Sequence, residues 1–196
     1  MHRLAVYRVH KEVMREMVNT GGGHLSLRSA SENDIEFLRT VFESTRAQEF
    51  AQTGWSVERV KALLADQFSM QHEYYGRHYP HGRFDVVMLG KTAIGRLYHD
   101  WQGAEARLID IALLPAYRRG GIGGRLVRAF VAQAAARAMA AVLYVEIDNP
   151  VQELYRRLGF EAVGENGVYL QMRRAAVPFI DERAVPVPGL AAEGAM

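Results

Sequence analysis

The stretch Arg107–Ala138, RLIDIALLPAYRRGGIGGRLVRAFVAQAAARA, decides how the rest of the chain is read. It opens on an apolar run, Leu108 to Leu114, with a single acid, Asp110, inside it. Pro115 ends the run, Arg118 and Arg119 follow, and then come Gly120, Gly121, Gly123 and Gly124. Beyond them Leu126, Val127, Phe130, Val131, Ala134 and Ala138 recur at the three-and-four spacing of one helix face. The stretch predicts a strand, a tight loop and an amphipathic helix. Glycines let backbone N–H groups approach an anion, and the helix dipole favours negative charge at that end. With two arginines beside it, the corner reads as a phosphate cradle.

A nucleoside-triphosphate loop would place Lys and then Ser or Thr after its last glycine, but Arg125 and Leu126 follow Gly124. A dinucleotide fold would want glycine or alanine three residues after Gly123, and Leu126 stands there. The spacing that fits is Arg-x-x-Gly-x-Gly, here Arg118-Arg119-Gly120-Gly121-Ile122-Gly123. Following a strand that ends in Leu-Pro and a Tyr-Arg pair, it resembles the coenzyme A pyrophosphate loop of the GNAT N-acetyltransferases.

Composition sets outer bounds. The 196 residues suffice for one well-buried domain, and 49% hydrophobic with 23% charged residues is ordinary for a globular protein. A formal charge of +2 is too small to argue for nucleic acid. There are no cysteines, which excludes disulfides, thiolate zinc sites and a cysteine nucleophile, and suits a reducing cytoplasm. No apolar run is long enough to cross a bilayer, and charges interrupt the N-terminus where a signal peptide would need an apolar core.

In chain order, residues 1–23 read as an N-terminal extension able to form a short amphipathic helix, 24–174 as the domain, and 175–196 as a tail rich in Pro, Ala and Gly. His24 to Arg28 is the first expected strand, and Ser31-x-x-Asp34 starts a helix. A second helix begins at Ser56 and runs into the aromatic, histidine-rich stretch Gln71–His81. Those histidines have no recognised metal-ligand spacing, so no metal is expected; the stretch is either part of an acceptor pocket or a polar loop. Phe84–Leu89 and Thr92–Tyr98 form a hairpin. After the glycine-loop helix come the strand Ala141–Ile147, a short helix Val151–Leu158, and two strands, Phe160–Val163 and Val168–Met172. This mixed α/β order, antiparallel at first with a parallel step around the loop, is also that of the GNAT fold. The resemblance, covering roughly residues 25–174, implies a mostly antiparallel central sheet flanked by helices, with a splayed central strand pair at the acyl-CoA site.

A second motif lies at Asn149-Pro-Val-Gln-Glu-Leu-Tyr155-Arg-Arg-Leu-Gly-Phe160. It resembles the family's later motif, in which the tyrosine lies near the coenzyme's sulfur and the asparagine bonds the pantetheine arm. Here one residue fewer separates Asn from Tyr, so Tyr155 carries over more securely than Asn149, whose alternative is a helix cap.

Acyl transfer from a thioester to an amine makes four demands. The amine must lose a proton, since a lysine-like ammonium has a pKa of about 10.4. The carbonyl must be held close to it, the oxyanion needs a donor, and the leaving thiolate gains from an acid. The resemblance makes Tyr155 that acid and gives Ile111 and Leu113 to the coenzyme through the backbone of their strand. The glycine loop, Arg118 to Gly124, would hold the pyrophosphate. Asp110 is costly to bury unless paired or solvated. It is either a base or ligand for the amine, or a structural acid paired with Arg96 or Arg107. The expected function is thus N-acetyl transfer from acetyl-CoA to a primary amine of a small molecule, amino acid or peptide, by direct attack in a ternary complex. A non-catalytic coenzyme A-binding module and a longer acyl donor are the alternatives. The expected partners are acyl-CoA and the amine, with no nucleic acid or membrane, and a homodimer is left open. The acceptor pocket is expected among Gln71–His81 and around Tyr98, His99 and Trp101.

Overall fold

The computed structural model describes residues 19–20, 23–50 and 53–177. The helix expected at the start of the chain and most of the tail lie outside the described residues. The elements are β1 (Gly23–Ser29), α1 (Ile35–Phe50), α2 (Val57–His78), β2 (Arg83–Leu89), β3 (Thr92–Asp100) and β4 (Glu105–Leu113). They continue with α3 (Ile122–Ala136), β5 (Ala140–Glu146), α4 (Gln152–Arg157), β6 (Glu161–Glu165) and β7 (Tyr169–Arg174). The strands lie in the order β1-β2-β3-β4-β5-β7-β6, and a two-residue strand, Asn19–Thr20, pairs with the β1 edge. Only β4 and β5 run parallel among these pairs. The expected mixed, mostly antiparallel sheet flanked by helices is the one observed.

Local chemistry explains the boundaries. Ser31 and Asp34 form a capping box, and Asp34 also receives the Arg28 guanidinium at 2.7 and 2.8 Å. That bidentate pair ties the end of β1 to the turn that starts α1. The histidine-rich stretch is not a loop: α2 runs on to His78 before Tyr79 and Pro80 stop it. Contacts one turn apart hold these last turns, with Phe68 stacked on His72, Tyr74 on His78, and Glu73 paired with Arg77.

The sheet has a core on each face. On one, Leu126, Val127, Phe130, Val131 and Ala134 of α3 pack with Leu97, Leu108, Leu143 and Met172 of the strands. This is the face the sequence periodicity marked. Phe130 is fully buried, and truncating such a ring to alanine costs about 3–5 kcal/mol. On the other, Leu38 and Phe42 of α1 and Leu64 and Phe68 of α2 cover Val86 and Tyr98.

Two irregularities shape what lies between. Tyr98 pairs with Asp110 but His99 pairs with Leu108, so β4 carries one extra residue, Ile109, against β3. At the same level β4 leaves β5: their last paired residues are Leu108 and Leu143, and β5 continues beside β7 alone. Leu108 joins the core under α3 and Ile109 the core on the opposite face, as alternation requires, and the extra residue then keeps the next side chain on Ile109's face. Asp110, next in line, also lies on that opposite face.

Candidate active site

A cavity of about 340 Å³ opens where β4 and β5 separate. Its walls are Ile109–Ala112 of β4, Leu143–Glu146 of β5, Phe42, Thr45, Arg46 and Glu49 of α1, and Gln71 and Tyr75 of α2. At its floor the Asp110 carboxylate accepts from the Arg96 guanidinium at 2.7 Å and from the Tyr75 hydroxyl at 3.3 Å, both at Oδ2. Arg96 is nearly fully buried, donates also to Gln71 Oε1 at 3.0 Å, and its Nε has no partner. Burial opposes the charge on Arg96, but the Asp110 carboxylate outweighs that and raises its pKa. Of the two partners foreseen for Asp110, the structure supplies Arg96. Arg107 instead lies over the Tyr144 ring.

A second cavity, about 620 Å³, lies along the glycine loop and the first turns of α3. The two cavities share a wall made by Thr45, Ile111, Ala112, Val151 and Tyr155. Tyr155 is buried, with T-shaped packing on Phe160. Its hydroxyl makes no hydrogen bond with the described residues. Burial raises its pKa, and the negative charge of Asp110 raises it further.

The glycine loop has the form an anion needs. Arg119 and Gly121 are both left-handed, at φ 62° and 81°, and Gly121 is the residue before α3. No side chain caps this helix, and its first backbone bond runs from the Arg125 N–H to the Gly121 carbonyl, so the N–H groups of Ile122, Gly123 and Gly124 have no partner within the helix. A Cβ added at Gly120, Gly121 or Gly123 would meet nothing within 4 Å. Packing therefore does not require glycine at 120 or 123, and glycine inside a helix costs about 1 kcal/mol. The vacant space is explained if it belongs to a ligand. Arg119, Arg128 and Arg157 line this cavity without an ion pair among the described residues, and no acid lines it. A diphosphate with a nucleotide attached fits these residues.

Other expected residues have different tasks. Arg118 lines the cavity, but its Nε–H donates to the Leu113 carbonyl at 2.7 Å and its Nη2 to Ser44 of α1. It fastens the loop to α1. Asn149 lines the inter-strand cavity while its Oδ1 accepts from the Val151 N–H at 3.0 Å, a turn two residues ahead of α4. Ile111 and Leu113 both line the glycine-loop cavity.

The expected acceptor residues need correction. Of the stretch 71–81 only Gln71 and Tyr75 line the inter-strand cavity, and Tyr98, His99 and Trp101 line neither cavity. Tyr98 is core beneath α1 and α2. His99 is buried beneath α3 against Phe130, accepting from the Trp101 ring N–H at 2.6 Å. Its other nitrogen lies 3.3 Å from Asp85, in ion-pair reach but without hydrogen-bond geometry. Burial raises the Asp85 pKa, but His99 and Arg83 overcome this and hold it low. Arg96 is the foreseen partner of Asp110, and Gln71 and Tyr75 fall within the expected acceptor stretch; that β3 and α2 bring the three together at Asp110 is visible only in three dimensions.

Among the described residues no helix is long and apolar enough to cross a membrane, and no three His, Cys, Asp or Glu side chains cluster as metal ligands would. The fold has many solved relatives. An N-acetyltransferase (PaiA) from Thermoplasma acidophilum, solved with coenzyme A, superposes with a TM-score of 0.60 at 20% identity, covering 77% of this chain and 98% of that one. An acetyltransferase from Thermus thermophilus gives 0.55 at 19%, over 77% and 96%. A GNAT-family protein from Desulfovibrio desulfuricans gives 0.54 at 18%, over 78% and 99%. Against curated protein sequences nothing matches. The acetyltransferase (GNAT) family profile matches residues 38–160, which is more than half of the chain and spans the inter-strand cavity, the glycine loop and Tyr155. With the splayed β4–β5 pair and the uncapped glycine corner at its centre, the chain belongs to the GNAT acetyltransferase family.

Proposed function

We propose that the protein transfers an acetyl group from acetyl-CoA to a primary amine of a small molecule, an amino acid or a peptide, by direct attack in a ternary complex. The observation that carries this reading is the wall shared by the two cavities, with Tyr155 in it. A phosphate-bearing donor in the larger cavity and an amine in the smaller one would meet there. The donor's diphosphate would lie against the free N–H groups of Ile122, Gly123 and Gly124, with Arg119, Arg128 and Arg157 offsetting its charge. The stretch of β4 from Ile111 to Leu113, paired with β3 but not with β5, offers backbone partners on its open edge to the pantetheine amides. Coenzyme A supplies the activated thioester.

The residues of the chain then do the following. Asp110 receives the amine as a cation. Once that nitrogen has lost a proton to water, its lone pair attacks the acyl carbon, and the C–N bond forms as the C–S bond breaks. Tyr155 gives a proton to the departing sulfur. Its raised pKa keeps it protonated at neutral pH but makes its phenolate costly. The proton it gives must be replaced at once, and the acidic, newly bonded nitrogen is the source.

The test is coenzyme A binding by calorimetry alongside thiol release from acetyl-CoA with a panel of amines. Gly121→Asp and Gly123→Asp are expected to abolish binding, because each sets a carboxylate in the vacant space against a diphosphate. Normal coenzyme A binding by either variant would remove the cradle assignment. Binding without acylation of any amine would leave only a coenzyme-sensing module.

A further inference from the structure

The charges around the inter-strand cavity select among acceptors, an argument that rests on the acyl-transfer reading above. Five charged residues line it: Asp110, Glu49 and Glu146 against Arg96 and Arg46. Neither arginine is free for a substrate anion. Arg96 is held by Asp110 at 2.7 Å. Arg46 lies between Glu49 at 3.1 Å on its own helix and Glu146 at 3.5 Å on β5, one cation shared by two carboxylates. The cavity therefore keeps one negative charge in excess, with acids both at its floor and at its mouth. Asp110 Oδ2 takes both protein donors, the Arg96 guanidinium and the Tyr75 hydroxyl, which leaves Oδ1 for a ligand. Asp110 and Tyr155 line the same cavity, and Asp110 directly precedes Ile111 of the shared wall, so the floor of the cavity adjoins that wall.

A carboxylate on the carbon next to the reacting nitrogen would be carried to this same floor. It would meet the Asp110 anion, with no unpaired cation among the described residues that line the cavity. We infer that the acceptor is a primary amine that arrives as a cation and has no carboxylate on the neighbouring carbon, its apolar body lying along the Tyr75, Tyr144 and Tyr169 side of the cavity. Free α-amino acids are thereby excluded. Arg96 is a positioning residue that holds the Asp110 carboxylate toward the incoming ammonium.

Matched pairs differing by one carboxylate test this directly: phenethylamine with phenylalanine, and tyramine with tyrosine, each with acetyl-CoA and the full chain, read by thiol release. The expected result is a kcat/KM at least tenfold higher for each amine than for its amino acid. In the doubly substituted Glu49→Gln, Glu146→Gln protein that ratio should shrink severalfold through a higher KM for the amine. Both side chains are a little under half exposed, and an unchanged Tm would show that the substitutions leave the fold intact. Equal or faster turnover of the amino acids overturns the inference. So does an unchanged ratio in the double variant, or turnover of some other amine with neither member of a pair accepted. Thiol release with no amine at all, while coenzyme A still binds, would instead sink the acyl-transfer reading itself.

Discussion

Tyr155 stands where the two cavities meet, and burial and a nearby carboxylate keep its hydroxyl protonated. Replacing it with Phe removes one oxygen from a site otherwise unchanged. The expected effect is a fall in kcat of about 100-fold, the usual scale of a lost general acid, with the coenzyme A Kd changed less than about twofold. Stopped-flow or steady-state thiol release with parallel calorimetry separates the two. A second residue-scale prediction concerns Asp34, which hydrogen bonds from Arg28 hold well below the usual carboxylate range against the opposing effect of its burial. An unfolded Asp titrates near about 3.9, so the folded protein binds this proton more weakly than the unfolded chain. The stabilisation is fully present above that pH and is lost progressively as the pH falls from it through the lower folded value. The urea-midpoint gap between wild type and Asp34→Asn should be flat above about pH 5 and shrink below about pH 4; a gap that widens on acidification contradicts the assignment.

Single elements record how far pattern reading reaches. The glycine loop and α3 were legible because their signals are local: a periodic face, a run of glycines, arginines alongside. The capping box at Ser31 was legible for the same reason. Gln71 to His78 was ambiguous because histidine and tyrosine have middling helix propensity, and the stacking that settles it appears only once the turns exist. His99 and Trp101 were misplaced since nothing in the sequence announces which face of β3 lies under α3. Arg118 looked like a phosphate ligand from its spacing, yet its hydrogen bonds go to Leu113 and Ser44, a segment far away in sequence. Gly95 illustrates a constraint invisible to spacing: a Cβ there would sit 2.3 Å from the Ala112 carbonyl oxygen. Gly95→Ala should therefore destabilise by about 1–3 kcal/mol, as overpacking does, and lower the Tm by several degrees. Thermal unfolding monitored by circular dichroism checks it, and an unchanged Tm would mean that β3 and β4 can part there without loss.

At the scale of the whole molecule, β4 and β5 are closed by pairing at one end and open at the other, and the glycine-loop and inter-strand cavities adjoin at the opening. Chemistry by direct attack requires both to be filled at once. Initial velocities with acetyl-CoA and amine varied together should give double-reciprocal lines that intersect; parallel lines would signal an acylated protein intermediate instead. The extra residue at Ile109 has a further consequence for how such a chain can change over time. Side chains along a strand alternate between faces, so regular pairing through this same sequence would turn Asp110 to the side of Leu108, into hydrocarbon, without its arginine. Deleting Ile109 would restore regular pairing and leave Asp110 opposite Tyr98, on its present face. The placement of the charge thus depends on the irregularity and not on the strand's length: a substitution that let β4 pair regularly here would hide the carboxylate, while the loss of that one residue would keep it facing the cavity.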